Sequence, residues 1–368
     1  MRMVFLGLSL SSSWGNGHAT TYRALLAGLA GRGHDITFLE REQPWYAAHR
    51  DLRAPDYCRL EFYDSPSDLL RFAPELRAAD AVIVGSYVPD GIVVANEVQR
   101  IVAGRDAAPL LCFYDIDTPV TLRKLAGGDM EYLSPTLIPQ FDLYLSFTGG
   151  PTLSVLEDVY GARMAKALYC SVDPERYQPI DTQRRWALGY LGTYSPDRQP
   201  ALECLLLEPA RRLPQLRFVV AGSMYPDDIA WPDNVERIDH LPPDRHPEFY
   251  SSLAWTLNVT RADMLRAGYS PSVRLFEATA CGVPVISDAW PGLDTLFEPD
   301  REIITASDSA AVQRALALPE ARRQAIAQAA RRRTLQEHSA TQRAQQLETY
   351  LRQAVRNTAG AERQEAEA

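Results

Sequence analysis

Residues 255–299 read WTLNVTRADMLRAGYSPSVRLFEATACGVPVISDAWPGLDTLFEP. The runs at 255–258 and 283–287 are typical of buried strands, and the amphipathic segment 272–281 between them is typical of a helix that Cys281 and Gly282 end. A strand, a helix and a second strand in this order form the repeating unit of a parallel sheet. This stretch therefore predicts an α/β fold.

The same alternation continues through most of the chain, in two series separated by a polar segment at 171–185 that contains two prolines. Short apolar runs rich in Val, Ile, Leu and Phe are typical of parallel strands. The expected strands are 3–8, 35–39, 81–84, 110–114, 143–146 and 167–169 in the first series, and 187–191, 216–221, 235–238, 255–258 and 283–287 in the second. Two α/β domains joined by a linker follow, with ligands expected in a cleft at the carboxyl ends of the strands.

The end of the chain has a different composition. Residues 310–355 are rich in Ala, Gln and Arg with helical periodicity, which predicts two consecutive helices. The last residues, 358–368, have no apolar anchors, so we expect a disordered tail there.

Composition excludes several functional classes. The net charge of −9 over 368 residues opposes a default affinity for nucleic acid or anionic membrane. The apolar runs fall short of the roughly 18 residues that a spanning helix needs, and we expect no signal peptide. The five cysteines are widely spaced without a zinc or disulfide pattern, which predicts reduced thiols and a cytoplasmic protein.

The first candidate motif follows the first strand, in SSSWGNGHA. Gly15 and Gly17 allow a close backbone approach, and His18 would be a general base for a substrate hydroxyl or a simple helix cap. Gly15, Gly17 and Glu40 also loosely imitate a dinucleotide-binding fingerprint. That interpretation is weak because Thr20 occupies the third glycine position and the loop is too long.

The second candidate motif is CFYDIDTPVTL, in which a predicted strand ends at Asp115 and Asp117. Carboxylates at this position would orient a histidine or accept a substrate proton. The spacing also suits a divalent metal, and alternatively Asp117 caps the following helix.

The third candidate motif lies within the opening stretch. Ser270, Pro271 and Ser272 predict a helix N-terminus that would bind phosphate. Arg261 and Arg274 would add guanidinium donors to the same phosphates. Glu277, one turn further along, would accept hydrogen bonds from ribose hydroxyls.

This third motif resembles the donor-binding signature of the two-domain GT-B glycosyltransferases, in particular the CgeB-like group within the family 4-like set. SVDPERYQP is similar to their interdomain linker, LGYLGTYSPDRQPAL to the first turn of their C-terminal domain, and EHSATQRAQQLETYL to their closing helix. SSSWGNGHA occupies the place of their acceptor-side loop, which comprises Gly15, Asn16 and Gly17.

The resemblance implies further donor contacts. It assigns diphosphate contacts to Arg274 and the turn at 270–272, a donor contact to Val273, and a ribose contact to Glu277. The other donor contacts that it implies are Gly192, Thr193 and Tyr194 near the phosphates and Ser223, Met224, His240 and Leu241 near the base. The chain departs from the family at Tyr269, where many members carry a glutamate eight residues before the ribose-binding one. The retaining outcome is therefore not carried over, and His18 with Asp115 or Asp117 would suit inversion.

The resemblance also implies a domain map and a function. We expect an acceptor-binding domain at 1–170, a linker at 171–185, a donor-binding domain at 186–333, a helix at 334–357 that returns to the first domain, and the tail at 358–368. The expected activity is hexosyl transfer from a nucleoside diphosphate sugar to a small-molecule, glycan or protein acceptor, without a cofactor or bound metal. The alternatives are a nucleotide-sugar 2-epimerase, a non-catalytic partner of another transferase, and an NAD-dependent dehydrogenase.

Overall fold

The computed structural model describes residues 1–15, 17–104 and 108–367. The chain divides into two units. Unit 1 comprises Met1–Cys170 together with the segment that starts at Ala340, and unit 2 comprises Ser171–Ser339. The boundary at residue 170 coincides with the predicted end of the first domain. Residues 334–339, predicted to begin the last helix, instead belong to unit 2.

The described part of unit 1 contains one parallel sheet of seven strands in the order β3-β2-β1-β4-β5-β6-β7. Its strands are β1 (Arg2–Gly7), β2 (Asp35–Arg41), β3 (Arg59–Tyr63), β4 (Ala81–Gly85), β5 (Leu110–Asp115), β6 (Leu143–Ser146) and β7 (Ala165–Ala167). The order reverses between β1 and β4, as in Rossmann-like sheets.

The described part of unit 2 repeats this arrangement with six parallel strands in the order β10-β9-β8-β11-β12-β13. Its strands are β8 (Trp186–Leu191), β9 (Phe218–Ala221), β10 (Val235–Ile238), β11 (Leu253–Asn258), β12 (Val285–Ser287) and β13 (Ile304–Thr305). The order reverses between β8 and β11. Both units therefore have the Rossmann-like α/β architecture that the sequence predicts.

Helices connect the strands of both sheets. In chain order they are α1 (His18–Ala30), α2 (Pro44–Ala47), α3 (Ala73–Ala78), α4 (Gly91–Val102), α5 (Thr118–Ala126), α6 (Pro151–Asp158), α7 (Gln199–Leu202), α8 (Glu208–Arg212), α9 (His246–Ser251), α10 (Ala262–Ala267), α11 (Val273–Ala280), α12 (Leu293–Leu296), α13 (Ser309–Leu316), α14 (Glu320–Glu337) and α15 (Ala340–Glu367). A π-helical segment, Glu203–Leu207, joins α7 to α8.

Each unit has its own apolar core. In unit 1, Val82 and Val84 of β4 are buried together with Val94 and Val98 of α4. Each such valine contributes about 1.5–3 kcal/mol by leaving water. A separate core in unit 2 includes Trp255, which is 1% exposed. Each core holds the sheet of its own unit in place, and the sheet in turn positions the loops that follow the carboxyl ends of its strands.

The last helix packs within unit 1. The Glu348 carboxylate of α15 accepts hydrogen bonds from Arg32 Nε at 2.5 Å and Nη2 at 3.0 Å, and lies 2.7 Å from His34 Nε2. These contacts, led by the hydrogen bonds from Arg32, lower the pKa of Glu348 to about 2. The contacts fasten α15 to the segment between α1 and β2, so the chain ends on the unit where it began.

Several predicted boundaries differ from the structure. Strands β3 and β13 were not predicted, because β3 is a polar edge strand and β13 has two residues. Residues 309–367 form α13, α14 and α15 rather than two helices. The structure also continues α15 through residues 358–367, where the sequence predicts a disordered tail. The Ala, Glu, Arg and Gln residues of this segment are strong helix formers, which accounts for the difference.

Candidate active site

In unit 2, the candidate donor residues follow the carboxyl ends of strands next to the point where the strand order reverses. The loop at 192–198 follows β8, the loop at 222–231 follows β9, and Val259–Thr260 follow β11. Ligands of open α/β sheets bind at such reversal points. The topology therefore brings together segments that lie up to 70 residues apart in the sequence.

Arg274 of α11 is held in one orientation. It is 6% exposed, and its Nε donates to the Leu191 carbonyl at 2.7 Å while Nη1 donates to Asn258 Oδ1 at 3.0 Å. The guanidinium stacks over the Tyr190 ring, 4.6 Å from its centroid. Nη2 lies beside Gly192 and has no hydrogen-bond acceptor among the described residues. A buried cationic donor in this state is suited to an anionic ligand.

A polar network supports Arg274 from the β11 side. Asn258 Nδ2 donates to Ser287 Oγ at 3.0 Å, and the Asp288 carboxylate accepts the Thr260 N–H and Oγ1–H, each at 2.8 Å. Burial raises the pKa of Asp288. Asn258 Nδ2 contacts both Ser287 and Asp288, so the network fixes the orientation of the Asn258 amide. The amide oxygen is thereby placed to accept the hydrogen bond from Arg274.

Glu277, the predicted ribose-binding acid, is buried one turn after Arg274. Its Oε2 accepts a hydrogen bond from Tyr250 Oη at 3.3 Å and lies 3.9 Å from His246 Nδ1. Burial lowers the pKa of His246, although the nearby Glu277 charge opposes that effect. Tyr177 also reaches this group, since its hydroxyl lies 3.3 Å from His246 Nδ1. The sequence analysis missed these three neighbours of Glu277.

The turn at 270–272 directly precedes α11, as predicted. Ser272 is the N-cap, and its Oγ accepts a hydrogen bond from the Arg274 N–H at 3.4 Å. Ser270 and Pro271 are buried, whereas Val273 is partly exposed. Arg261 is the N-cap residue of α10.

The loops after β8 and β9 are joined by their backbones. The Tyr194 N–H donates to the Ser223 carbonyl at 2.9 Å. Gly222 has φ +149°, and a Cβ at this position would lie 2.0 Å from the Gly192 carbonyl oxygen. Only glycine permits this approach. Thr193 lies in the first of these loops, so the predicted phosphate-side and base-side residues meet here.

The remaining predicted base-side residues differ in their surroundings. Met224 is 77% exposed and adopts a positive φ of 67°. His240 is exposed after β10, and the Leu241 carbonyl lies 3.2 Å from His246 Nε2. Leu241 is thereby linked through His246 to Glu277.

Two further groups around this site were not predicted. Arg198 Nη2 donates to the Thr193 carbonyl at 2.6 Å, and its buried Nε has no partner among the described residues. The buried Tyr190 hydroxyl, near Gly192, likewise has no partner in the described chain. The only sequence signal for Arg198 is its position seven residues after β8.

In unit 1, the loop after β1 is held by two buried ionic groups. The Glu40 carboxylate accepts the backbone N–H groups of Leu10 at 2.7 Å and Ser11 at 2.8 Å. Arg23 donates from Nε and Nη2 to the Leu10 carbonyl, at 3.0 and 2.8 Å, and pairs with Asp51 at 2.5 Å. The Glu40 carboxylate is occupied by these backbone N–H groups and is therefore not the ribose-binding acid of a dinucleotide site. This finding argues against the dinucleotide-binding interpretation of Gly15, Gly17 and Glu40.

His18 is the first residue of α1, directly after Gly17. Burial lowers its pKa to about 4, so the imidazole is neutral near pH 7. Its Nδ1 has no partner among the described residues, and Tyr87 packs edge-on against the ring at 5.3 Å. Gly15 has φ +67°, and Asn16 lies outside the described residues.

The predicted pairing of His18 with an aspartate is not formed in the described chain. Asp115 is fully buried, and its carboxylate accepts hydrogen bonds from Tyr144 Oη at 2.6 Å and Thr121 Oγ1 at 2.8 Å. Burial raises the pKa of Asp115. Asp117 occupies the N-cap position of α5 without the side-chain hydrogen bond of a helix cap, so the alternative that the sequence left open agrees in position only. The Asp115 carboxylate is bound by core hydroxyl groups and makes no hydrogen bond with His18 in the described chain.

Within residues 1–15, 17–104 and 108–367, no three or more His, Cys, Asp or Glu side chains are grouped so as to hold a metal ion. Asp115 and Asp117 therefore do not form part of such a group. In the same ranges, no helix combines the length and apolar character that crossing a membrane requires.

A family profile described as glycosyl transferase-like matches residues 198–349. The D-inositol 3-phosphate glycosyltransferases of Mycobacterium bovis (strain BCG / Pasteur 1173P2) and Mycobacterium tuberculosis (strain ATCC 25618 / H37Rv) are each 26% identical to the chain over 280 residues. The alignments cover 66% of this chain and 56% of each relative. The chain thus spans about half the length of the curated relatives that it matches.

Solved structures with a similar fold cover most of the chain. HepE of Anabaena, in complex with UDP and glucose, has a TM-score of 0.67 at 14% identity and covers 96% of this chain and 100% of its own. Sucrose-phosphate synthase of Thermosynechococcus elongatus has a TM-score of 0.68 at 14% identity, with 96% and 99% covered. An alpha-glucosyltransferase in complex with UDP-glucose and DNA containing an abasic site has a TM-score of 0.69 at 12% identity, with 95% and 98% covered.

These comparisons confirm the predicted fold class. The chain has the GT-B fold, with two Rossmann-like parallel sheets of seven and six strands. The family profile covers residues 198–349, which belong mostly to unit 2, and the fold extends the likeness to both sheets.

Proposed function

We propose that the chain is a glycosyltransferase that moves a hexosyl group from a nucleoside diphosphate sugar to an acceptor nucleophile. The observation that carries this proposal is Arg274, whose buried guanidinium is fixed by Leu191 and Asn258 and keeps Nη2 beside Gly192. A rigid cation at the reversal point of a Rossmann-like sheet is suited to a diphosphate. The match to glycosyl transferase-like proteins covers the same residue.

The reaction gives Arg274 a direct role. As the bond between the sugar and the diphosphate breaks, negative charge develops on the departing phosphate oxygens. A guanidinium held in place before the reaction stabilises that charge with little reorganisation. The N-terminus of α11, capped by Ser272, adds the positive end of the helix dipole, and Glu277 is proposed to bind the ribose hydroxyls.

We propose that the acceptor binds to unit 1 and that His18 accepts its proton. Burial keeps the imidazole neutral near pH 7, so one of its two ring nitrogens is able to receive a proton. A base with a pKa of about 4 is weaker than the optimum near the working pH, so its contribution depends on close placement of the acceptor. The rigid support from Glu40 and Arg23 is consistent with such placement.

The donor nucleotide and the acceptor class are further parts of the proposal. HepE and the alpha-glucosyltransferase were solved with UDP or UDP-glucose, so UDP-sugars are the first donors to test. The net charge of −9 favours a small-molecule, glycan or protein acceptor over nucleic acid. The motifs support the CgeB-like group, and the five free thiols favour a cytoplasmic location.

The test is release of nucleoside diphosphate from UDP-glucose, UDP-galactose, GDP-mannose and dTDP-rhamnose, with glycan, protein and small-molecule acceptors and with water as a slow acceptor. We expect release from one nucleotide series, and loss of that release in Arg274→Gln. Arg266→Gln, at an exposed arginine of α10, is the matched control. Conversion of the donor alone to its 2-epimer would instead establish an epimerase, and binding without turnover in any mixture would establish a non-catalytic partner.

A further inference from the structure

Arg237 of β10 lies outside the predicted donor contacts but is joined to the loops that carry them. Its Nη1 donates to the Val220 carbonyl at 2.7 Å and its Nη2 to the Gly222 carbonyl at 3.1 Å. The guanidinium lies between two aromatic rings, 4.2 Å from the centroid of Tyr225 and 4.5 Å from that of Trp231. We call Arg237, Tyr225 and Trp231 the Arg237 brace.

The Arg237 brace reaches both donor loops. Tyr225 donates its hydroxyl to the Gly192 carbonyl at 3.1 Å, and the same ring packs against Tyr194 at 5.5 Å. Arg237 meanwhile holds the carbonyl of Gly222, whose backbone abuts Gly192. One cation and one tyrosine therefore add side-chain contacts to the backbone hydrogen bond from Tyr194 to Ser223 that joins the loop after β8 to the loop after β9.

Arg237 makes its contacts at a partly buried site. Charge-assisted hydrogen bonds and cation–π contacts at a partly buried site are stronger than those at the surface. Burial even lowers the pKa of Arg237, which indicates that its charge is kept at some cost in solvation. Both accepting carbonyls lie at the carboxyl end of β9, on the side of the sheet where Ser223 and Met224 follow.

We infer that Arg237 is a positioning residue that holds the loops at 192–194 and 222–225 in the arrangement that binds the nucleotide of the donor. This inference rests on the proposed function and identifies a determinant of its donor affinity. Arg237 acts through Gly222 and Tyr225 and is not itself a donor contact. Its loss is therefore expected to weaken donor binding without removing the groups that carry out the reaction.

The test combines hydrogen exchange of the ligand-free protein with donor kinetics. In Arg237→Met we expect faster amide exchange in peptides covering 192–194 and 222–225, with exchange in β11 and β12 unchanged. We also expect the donor KM to rise about tenfold or more while kcat stays within about threefold, because a loss of uniform binding raises KM alone. Arg237→Lys keeps the positive charge and one donating nitrogen in place of two, so its donor affinity should lie between those of Arg237→Met and the parent.

Two further variants keep the test decisive. Arg217→Met removes an exposed arginine that pairs with Glu236 near the amino ends of β9 and β10, and it should change neither readout. Tyr225→Phe removes only the hydroxyl bond to Gly192 and should shift both readouts in the same direction by less, even if Arg237→Met fails to fold. Unchanged loop exchange in Arg237→Met, or faster exchange with an unchanged donor KM, would overturn the inference. If the parent binds no nucleotide, the proposed function fails, whereas the exchange measurement still decides whether Arg237 holds the loops.

Discussion

Replacing His18 should remove the part of the pH dependence of protein stability that arises from burying this imidazole. Burial holds the pKa of His18 at about 4 in the folded protein, against 6.5 for an exposed histidine. Since the unfolded chain takes up the proton first, stability is fully present above about pH 6.5 and is lost as the pH falls towards 4. At about 1.36 kcal/mol per pKa unit, the loss is about 2 kcal/mol at pH 5 and about 3 kcal/mol in full.

The measurement is urea unfolding of the parent and of His18→Leu at about pH 8 and about pH 5, followed by circular dichroism. At the higher pH we expect the two free energies of unfolding to agree within about 1 kcal/mol, because Nδ1 has no bond to lose in the described chain. At the lower pH His18→Leu should be the more stable by about 2 kcal/mol. His49→Leu, at an exposed histidine of the same unit, is the control for the loss of a histidine. Equal pH dependence in the parent and in His18→Leu would refute the buried, neutral imidazole.

Three other changes test separate parts of the account. Glu40→Gln should destabilise unit 1 by about 1–3 kcal/mol in thermal or urea unfolding, because the buried N–H groups of Leu10 and Ser11 lose a charged hydrogen-bond acceptor. Glu42→Gln, at a partly exposed side chain, is the control and should lower the free energy of unfolding by less. Arg274→Lys should weaken nucleoside diphosphate binding at least about tenfold, as measured by calorimetry. A lysine ammonium cannot hydrogen-bond to Leu191 and Asn258 and at the same time present a donor to the ligand in the geometry of the guanidinium. An unchanged affinity would show that Arg274 does not bind the ligand. Chelation with EDTA should leave the transfer rate unchanged, and a rate that falls and returns with Mg²⁺ or Mn²⁺ would contradict metal independence.

The fold could be predicted from the sequence because each buried parallel strand corresponds to a short, local run of apolar residues. Strands β6 and β10 have the predicted bounds, 143–146 and 235–238. Strand β3 escaped because RLEFY is an edge strand whose side chains are mostly only half buried, so its pattern is weak.

The site was readable only where its signal is local. The turn at 270–272 predicts the start of α11 and with it Arg274. The partners of Glu40 are backbone groups some 30 residues earlier, and Asp115 meets Tyr144 from the next strand. Such contacts depend on which strands become neighbours, and no local spacing encodes them.

The central claim is a nucleoside diphosphate site at the start of α11, and thermal stabilisation tests it most directly. The parent, Arg274→Gln and Glu277→Gln are melted with UDP, dTDP, GDP and ADP and with their sugar derivatives. A ligand at about 100 times its Kd adds roughly 2.7 kcal/mol, which is a readily visible shift. We expect one nucleotide series to stabilise the parent and to stabilise neither variant. Stabilisation that is equal in the parent and both variants, or absent for every nucleotide, would contradict it.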